Sequence, residues 1–265
     1  VASRLLLDAK AHINARGSGE TTALIAYVKS RKFGNMKVLL DAKADVHAMD
    51  ENNYTPLRYA VSKEDSSSAI LLIAAGANVD QRFSDEEWLI TEALSQSSPS
   101  MLELLLNAKA DVNKVVEYHT GHLTEAISAN KHTALELMIK AGLNLSEPQV
   151  SADVVSQAVA QGNTQMLRIL LEGKADVNAV SRWGERSPLM KLLTLHRFKK
   201  EIFSLLLDAG ARVEDCVLNG ETILASPGVL SRTDLLLKPL LIALCKQTGY
   251  LVPLKRKVKG RPSIL

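Results

Sequence analysis

Apolar residues in this chain fall into short blocks divided by polar turns, and the blocks return at a near-constant interval. The clearest block is an aliphatic triplet followed by small residues and a turn. It reads Leu5-Leu6-Leu7-Asp8-Ala9-Lys10-Ala11, then Val38-Leu39-Leu40-Asp41-Ala42-Lys43-Ala44-Asp45-Val46. It returns as Leu71-Leu72-Ile73-Ala74-Ala75-Gly76-Ala77-Asn78-Val79 and Leu104-Leu105-Leu106-Asn107-Ala108-Lys109-Ala110-Asp111-Val112. Weaker copies centre on Gly142, Lys174 and Gly210. With Lys10, Lys43, Gly76, Lys109, Gly142, Lys174 and Gly210 as markers, the intervals are 33, 33, 33, 33, 32 and 36 residues. A period of this length signals one small helical unit stacked on copies of itself, because no single unit buries its apolar face alone.

Each period predicts a pair of helices. Pro56 and Pro188 stand where a first helical turn needs no amide donor, and Thr55 and Ser187 before them are natural caps. The triplet marks the second helix. Helix pairs are expected at about 22–42, 55–75, 87–108, 120–141, 152–173 and 187–209, with residues 1–9 as the second helix of a pair whose first helix is absent. Thr222-Ile223-Leu224-Ala225 opens a seventh pair that Pro227-Gly228 interrupts. Residues 229–247 read as a terminal capping pair broken at Pro239. Residues 248–265 have no helical period and read as an extended tail. Gly76, Gly142 and Gly210 sit where a second helix ends in a left-handed residue. Lys10, Lys43, Lys109 and Lys174 hold that position in the other repeats. A left-handed Lys costs about 1 kcal/mol relative to Gly, so these helices are expected to end differently.

These residues resemble the ankyrin repeat. Thr55-Pro56-Leu57-Arg58-Tyr59-Ala60 and Ser187-Pro188-Leu189 match the start of its first helix. Gln161-Gly162-Asn163 matches its inter-helix turn, and Ala175-Asp176-Val177-Asn178-Ala179 matches its connector. The resemblance spans roughly residues 1–225. It departs at Trp88-Leu89-Ile90 and Gly121-His122-Leu123, which replace Thr-Pro-Leu, and in three extra residues before Gly210. The expected fold class is all-α, an ankyrin-repeat α-solenoid with short β-hairpin fingers. The expected organisation is an array over 1–225 with an incomplete first repeat, a helical cap over 226–247 and a basic tail over 248–265. Because the array opens mid-repeat, more chain or a partner is expected upstream of Val1.

Composition agrees with thin, repetitive layers: 46% of residues are hydrophobic and only 4% aromatic. No run of 18 apolar residues exists, so no membrane span is expected. The two cysteines, Cys216 and Cys245, are far apart in sequence and lack metal-ligand spacing, so no disulfide framework is expected and a reducing intracellular compartment is; cytoplasm, nucleus and organelle are not separated. No phosphate-binding glycine loop or catalytic constellation is present. His119 and His122 stand beside Glu117, yet two imidazoles without a third ligand make a poor metal site, and His122 occupies the Pro position of its repeat. Neither an enzyme, a metal, a cofactor nor a small-molecule substrate is expected.

Binding is the function class that remains. The resemblance implies that the connectors project as fingers and, with the first helices, line a concave protein-binding surface. Carried onto this chain, the finger tips are Ser18, Glu20 and Thr21; Glu51, Asn52 and Tyr54; Asp85 and Glu87; Glu117 and Tyr118; and Arg182, Trp183 and Glu185. Ser62, Lys63, Ser95 and Gln96 add the ends of first helices. Tyr54, Tyr118 and Trp183 are candidate aromatic anchors, or pack on their own fingers. Asp50, Glu51, Asp85, Glu86, Glu87 and Glu117 make the middle fingers acidic, suited to a basic partner or simply solvated.

Charge adds a second candidate. Residues 245–265 hold six of the 32 basic residues and no acid, which leaves 26 basic against 29 acidic residues on the rest. Lys255, Arg256, Lys257, Lys259 and Arg261 form the cluster. It fits contact with nucleic-acid phosphates or another acidic surface, a nuclear localisation signal, or a solvated tail. The leading expectation is a non-catalytic scaffold or structural subunit that binds a protein through its fingers. The alternatives are an RNA-contacting component of a ribonucleoprotein such as a ribosome, a regulatory adaptor carried to the nucleus by its tail, and the targeting arm of an enzyme whose catalytic domain lies upstream.

Overall fold

The computed structural model describes residues 12–30, 36–83, 87–96, 98–117, 120–180, 187–195 and 199–213, with the short strands at 217–218 and 221–222. The chain divides into two compact units, Val1–Leu145 and Ser146–Leu265.

Among the described residues, the first unit stacks four helix pairs: α1 (Ala23–Lys29) with α2 (Met36–Asp41), α3 (Pro56–Ser62) with α4 (Ser66–Ala74), α5 (Leu89–Ser95) with α6 (Ser100–Asn107), and α7 (Gly121–Ser128) with α8 (His132–Lys140). The second unit contains α9 (Pro148–Gln161) with α10 (Thr164–Glu172) and α11 (Pro188–Thr194) with α12 (Lys200–Asp208). Its last described element is an antiparallel strand pair, β1 (Val217–Leu218) and β2 (Glu221–Thr222), with Val217 opposite Thr222. Thr222, where a seventh first helix was expected to begin, lies in β2; the capping pair and the basic tail fall outside the described residues.

Local chemistry explains the helix starts. Thr55 Oγ1 accepts from the Arg58 amide at 3.2 Å, and Thr22 and Ser187 accept from Ile25 and Met190 at 3.4 Å. Thr55 also donates to the buried Gln81 Oε1 at 2.6 Å, tying one cap to the next repeat. Trp88 lacks a capping oxygen, and the Thr91 hydroxyl compensates by accepting from the Trp88 amide at 3.1 Å. The expected start of α9 at residue 152 is corrected: Pro148 sets the first turn and the helix runs from there. Residues 149–153, which occupy the finger register, are helical instead.

The helix ends overturn another expectation. Lys43, Lys109 and Lys174 adopt φ of 63°, 68° and 64°, the left-handed conformation that Gly76, Gly142 and Gly210 adopt at 91°, 95° and 88°. All six helices close with the same bond, for example Ala44 N to Leu39 O at 2.9 Å and Ala110 N to Leu105 O at 3.0 Å. The reason is the following residue. Ala44, Ala77, Ala110, Leu143, Ala175 and Ala211 are all buried, so the chain must turn inward at the marker whatever side chain stands there. The acceptor residues Leu39, Leu72, Leu105, Met138, Leu170 and Leu206 are the central residues of the triplets and are 0–4% exposed. Each contributes about 2–3 kcal/mol of apolar burial.

Neighbouring repeats are further joined at both ends of their helices. In the first unit the side-chain oxygens of Asn14, Asp80 and Asn113 each accept from a backbone amide one repeat later, at Asp45, Asp111 and Asn144, over 2.8 Å. In the second unit Asn178 does the same for Arg212 at 2.7 Å, while Ser151 serves Asp176 at 2.9 Å. At the other end, Lys131 Nζ donates to the Leu94, Ser95 and Gln96 carbonyls at 2.7–2.8 Å, closing the C-terminus of α5. Burial lowers the Lys131 pKa below its ordinary value, against the opposing pull of Glu125. Lys199 caps Gly162 in the second unit at 2.7 Å.

Candidate functional site

Three fingers of the first unit share one backbone bond, repeated every 33 residues. Gly17 donates to Thr21 O at 2.9 Å, Asp50 to Tyr54 O at 3.2 Å and Phe83 to Glu87 O at 3.0 Å. The third finger continues into an antiparallel bridge between Arg82 and Trp88. Adjacent tips are linked, since the Glu51 amide donates to Gly19 O at 3.1 Å and Arg16 reaches Met49 O at 3.1 Å.

Asp50 is the hinge of the second finger and not a surface charge. It is 5% exposed. Its Oδ1 accepts from the Asn52 and Tyr54 amides at 3.0 Å, and its Oδ2 accepts from the Tyr59 hydroxyl at 2.6 Å. Burial opposes its ionisation, but these donors and the nearby Lys29 outweigh burial and hold the carboxyl below its ordinary pKa. The Tyr59 hydroxyl is pushed up to about 12 by burial and by the Asp50 carboxylate it serves.

Arg58, from α3, joins the second and third fingers. Its guanidinium carbon lies 3.7 Å from the centres of both the Tyr54 and Phe83 rings. Tyr54 in turn packs on Tyr59 with 4.9 Å between ring centres, and the Lys29 ammonium lies 5.4 Å from the Tyr59 ring. Arg58 Nε faces Glu92 at 3.5 Å and its Nη2 faces Glu87 at 3.9 Å. Burial raises the Glu92 pKa and Arg58 opposes that rise. On the far side of the third finger, Lys114 approaches Trp88 to 4.5 Å and pairs with Glu117 at 3.0 Å. The result is a row of stacked cations and rings that fixes two fingers against the first helices, at the low entropic cost typical of aromatic side chains.

The sequence-derived residues divide accordingly. Glu51, Asn52 and Glu87 are exposed at the tips, Tyr54 is half-buried in the row just described, and Glu117 is exposed beside Lys114. Ser62 and Ser95 are exposed at the ends of α3 and α5, with hydroxyls bonded to their own helices. Lys63 and Gln96 donate to the carbonyls of Lys29 and Val61 in the preceding repeat, so they act as caps. Asp85, Tyr118, Arg182, Trp183 and Glu185 lie outside the described residues, as do Lys255, Arg256, Lys257, Lys259 and Arg261. Arg58, Phe83 and Lys114 were not singled out from sequence, and Trp88 was noted there only as a departure from Thr-Pro-Leu; the one available signal was an aromatic residue at a connector position. Among the described residues, no three His, Cys, Asp or Glu side chains gather to hold a metal ion. No helix among them is long and apolar enough to cross a membrane.

Comparison with known proteins bears on this arrangement. Residues 24–73 match a family model described as ankyrin repeats in many copies, and residues 156–182 match one described as an ankyrin repeat. The structure is similar to the ankyrin repeat domain of Bcl-3, described as a member of the IkappaB protein family. That similarity has a TM-score of 0.63 at 18% identity and covers 77% of this chain and 90% of that one. It is also similar to the human ASB11 ankyrin repeat domain, with a TM-score of 0.59 at 21% identity, covering 82% of this chain and 98% of that one. No curated protein sequence matches the chain.

Proposed function

We propose that this ankyrin-repeat protein is a scaffold that binds a protein partner on the fingers and first helices of its first unit, without catalysing a reaction. Ankyrin repeat domains are in general protein-interaction modules, and the observation that favours this particular face is the Arg58 row. A free loop loses entropy when a partner orders it, whereas fingers already stacked on Tyr54, Arg58 and Phe83 lose little. The tips then offer Glu51 and Glu87 to solvent on a preorganised support, which suits a basic partner surface. By the repeat register, Asp85 and Tyr118 are proposed as further tips of this surface, and Arg182, Trp183 and Glu185 as tips of the second unit.

The test is capture from native extract followed by mass spectrometry, with the wild type beside a Glu51→Lys/Glu87→Lys variant of unchanged melting temperature. The variant is expected to lose a basic protein that the wild type retains. An identical captured set for both proteins sinks this reading.

A second contact is proposed for the tail, on the strength of its six cations without one acid over 245–265. Clustered Lys and Arg release counterions on binding phosphates, so an RNA or other polyanion is the class of partner that fits.

A further inference from the structure

The outer faces of the second helices carry a pattern that the finger surface does not use. Six residues before each marker, the described repeats place Lys37, Ile70, Glu103, Glu136, Arg168 and Ser204. Ile70 is the one apolar residue in that register, and it is 55% exposed. Leu71 beside it is 37% exposed, and Ala74 and Ala75 on the same helix are exposed as well. α4 reads Ser-Ser-Ser-Ala-Ile-Leu-Leu-Ile-Ala and has no charged residue, while every other second helix carries at least one. An apolar patch of this kind, flanked by charge, marks an interaction surface.

The flanking charges identify the occupant. Lys37 on α2 and Glu103 on α6 are both exposed, stand one repeat either side of Ile70, and form no ion pair with another described residue. They have opposite sign. A two-fold axis through the Ile70 patch and parallel to α4 sets Lys37 against Glu103 of the partner subunit and Glu103 against the partner's Lys37, with the two apolar patches in contact. One repeat further out the sequence holds Arg4 and Glu136 in the same register, again of opposite sign; Arg4 lies outside the described residues. We propose that the α2–α4–α6 outer face is an isologous interface with a second copy of this chain. Such symmetry requires a self-complementary patch, and an exposed Lys37 on one side of Ile70 with an exposed Glu103 on the other meets that requirement.

The strip is small. The three helices are about 9–14 Å long, and three set side by side span about 30 Å, which places the interface at the low end of specific contacts. For a contact of that class the proposal takes a weak dimer, dissociating at about 10–100 μM.

Sedimentation equilibrium of the full chain over a concentration series up to about 300 μM reads this directly, since that range brackets the expected constant. The wild type is expected to shift from monomer to dimer. Ile70→Lys is exposed, so it should keep the helical circular dichroism and melting temperature yet stay monomeric. Lys37→Glu and Glu103→Lys should each weaken the dimer about tenfold, because each sets two like charges face to face. The Lys37→Glu/Glu103→Lys double variant should return to within about threefold of the wild type, since opposite charges then face each other again. A wild type that stays monomeric across the series overturns the proposal. So does a double variant no better than its single parents, because the two-fold pairing would then be absent.

Discussion

Replacing Arg58 is the sharpest test of how the fingers are held. The Arg58 side chain is 12% exposed, and its guanidinium stands 3.7 Å from two ring centres. Each partly desolvated cation–π contact is worth about 0.5–1 kcal/mol. Removal also strands Glu92, 22% exposed, whose Oε2 faces Arg58 at 3.5 Å. Leaving that carboxylate without its cation adds about 1–2 kcal/mol. The Glu87 contact, with that side chain 54% exposed, adds nothing measurable after solvent screening. Arg58→Ala should therefore cost about 2–4 kcal/mol, read as a lower urea midpoint or as a melting temperature lower by roughly 2–4 °C per kcal/mol. Arg58→Met/Glu92→Met removes both charges and should recover at least about 1 kcal/mol relative to the sum of the single losses. If Arg58→Ala changes stability by less than about 0.5 kcal/mol, the stacked row is decorative and the preorganised fingers lose their physical basis.

Lys43→Gly, Lys109→Gly and Lys174→Gly should each stabilise the fold by about 0.5–1 kcal/mol, because the left-handed penalty of a Cβ exceeds the extra chain entropy of glycine. A lower melting temperature in all three variants contradicts the left-handed assignment. Asp50→Asn should cost about 1–2 kcal/mol at neutral pH, where the carboxylate accepts three hydrogen bonds. Since the folded pKa lies below the ordinary 3.8, this stabilisation is complete above pH 4 or so and is lost as pH falls through the folded value. A wild-type-minus-variant difference that stays flat down to about pH 2 rules the carboxylate out as its source. Deleting residues 254–265 should reduce binding to an unstructured RNA and flatten its dependence on salt, with a slope loss of about 0.7 per phosphate contact removed. A wild type whose RNA binding has no salt dependence excludes the phosphate reading.

Much of this molecule was legible because its information is local and repeated. The triplets, the Thr-Pro and Ser-Pro starts and the 33-residue interval specify helices, their caps and their spacing through contacts within one unit and its immediate copy. The helix pairs stand within a few residues of where hydrophobic patterning sets them, the early start of α9 being set by a proline outside the repeat pattern. Trp88 shows the limit of such reading: as a poor substitute for a capping Thr it marks divergence, and nothing in sequence says that Lys114 lies across its ring.

Sequence by itself thus determined the repeat, the all-helical class and the segregation of positive charge into the last residues, since periodicity and composition depend only on order along the chain. Tertiary structure decided what each polar residue is for. Asp50 reads as one more acid on an exposed finger, but the fold buries it under Tyr59 and turns it into the bond that shapes that finger. Lys43, Lys109 and Lys174 read as interrupted helix ends, but the buried residue after each one draws the backbone through the left-handed region at the cost of local strain. Arg58 is adjacent in sequence to neither Tyr54 nor Phe83, and only the stacking of consecutive repeats brings both rings onto its faces.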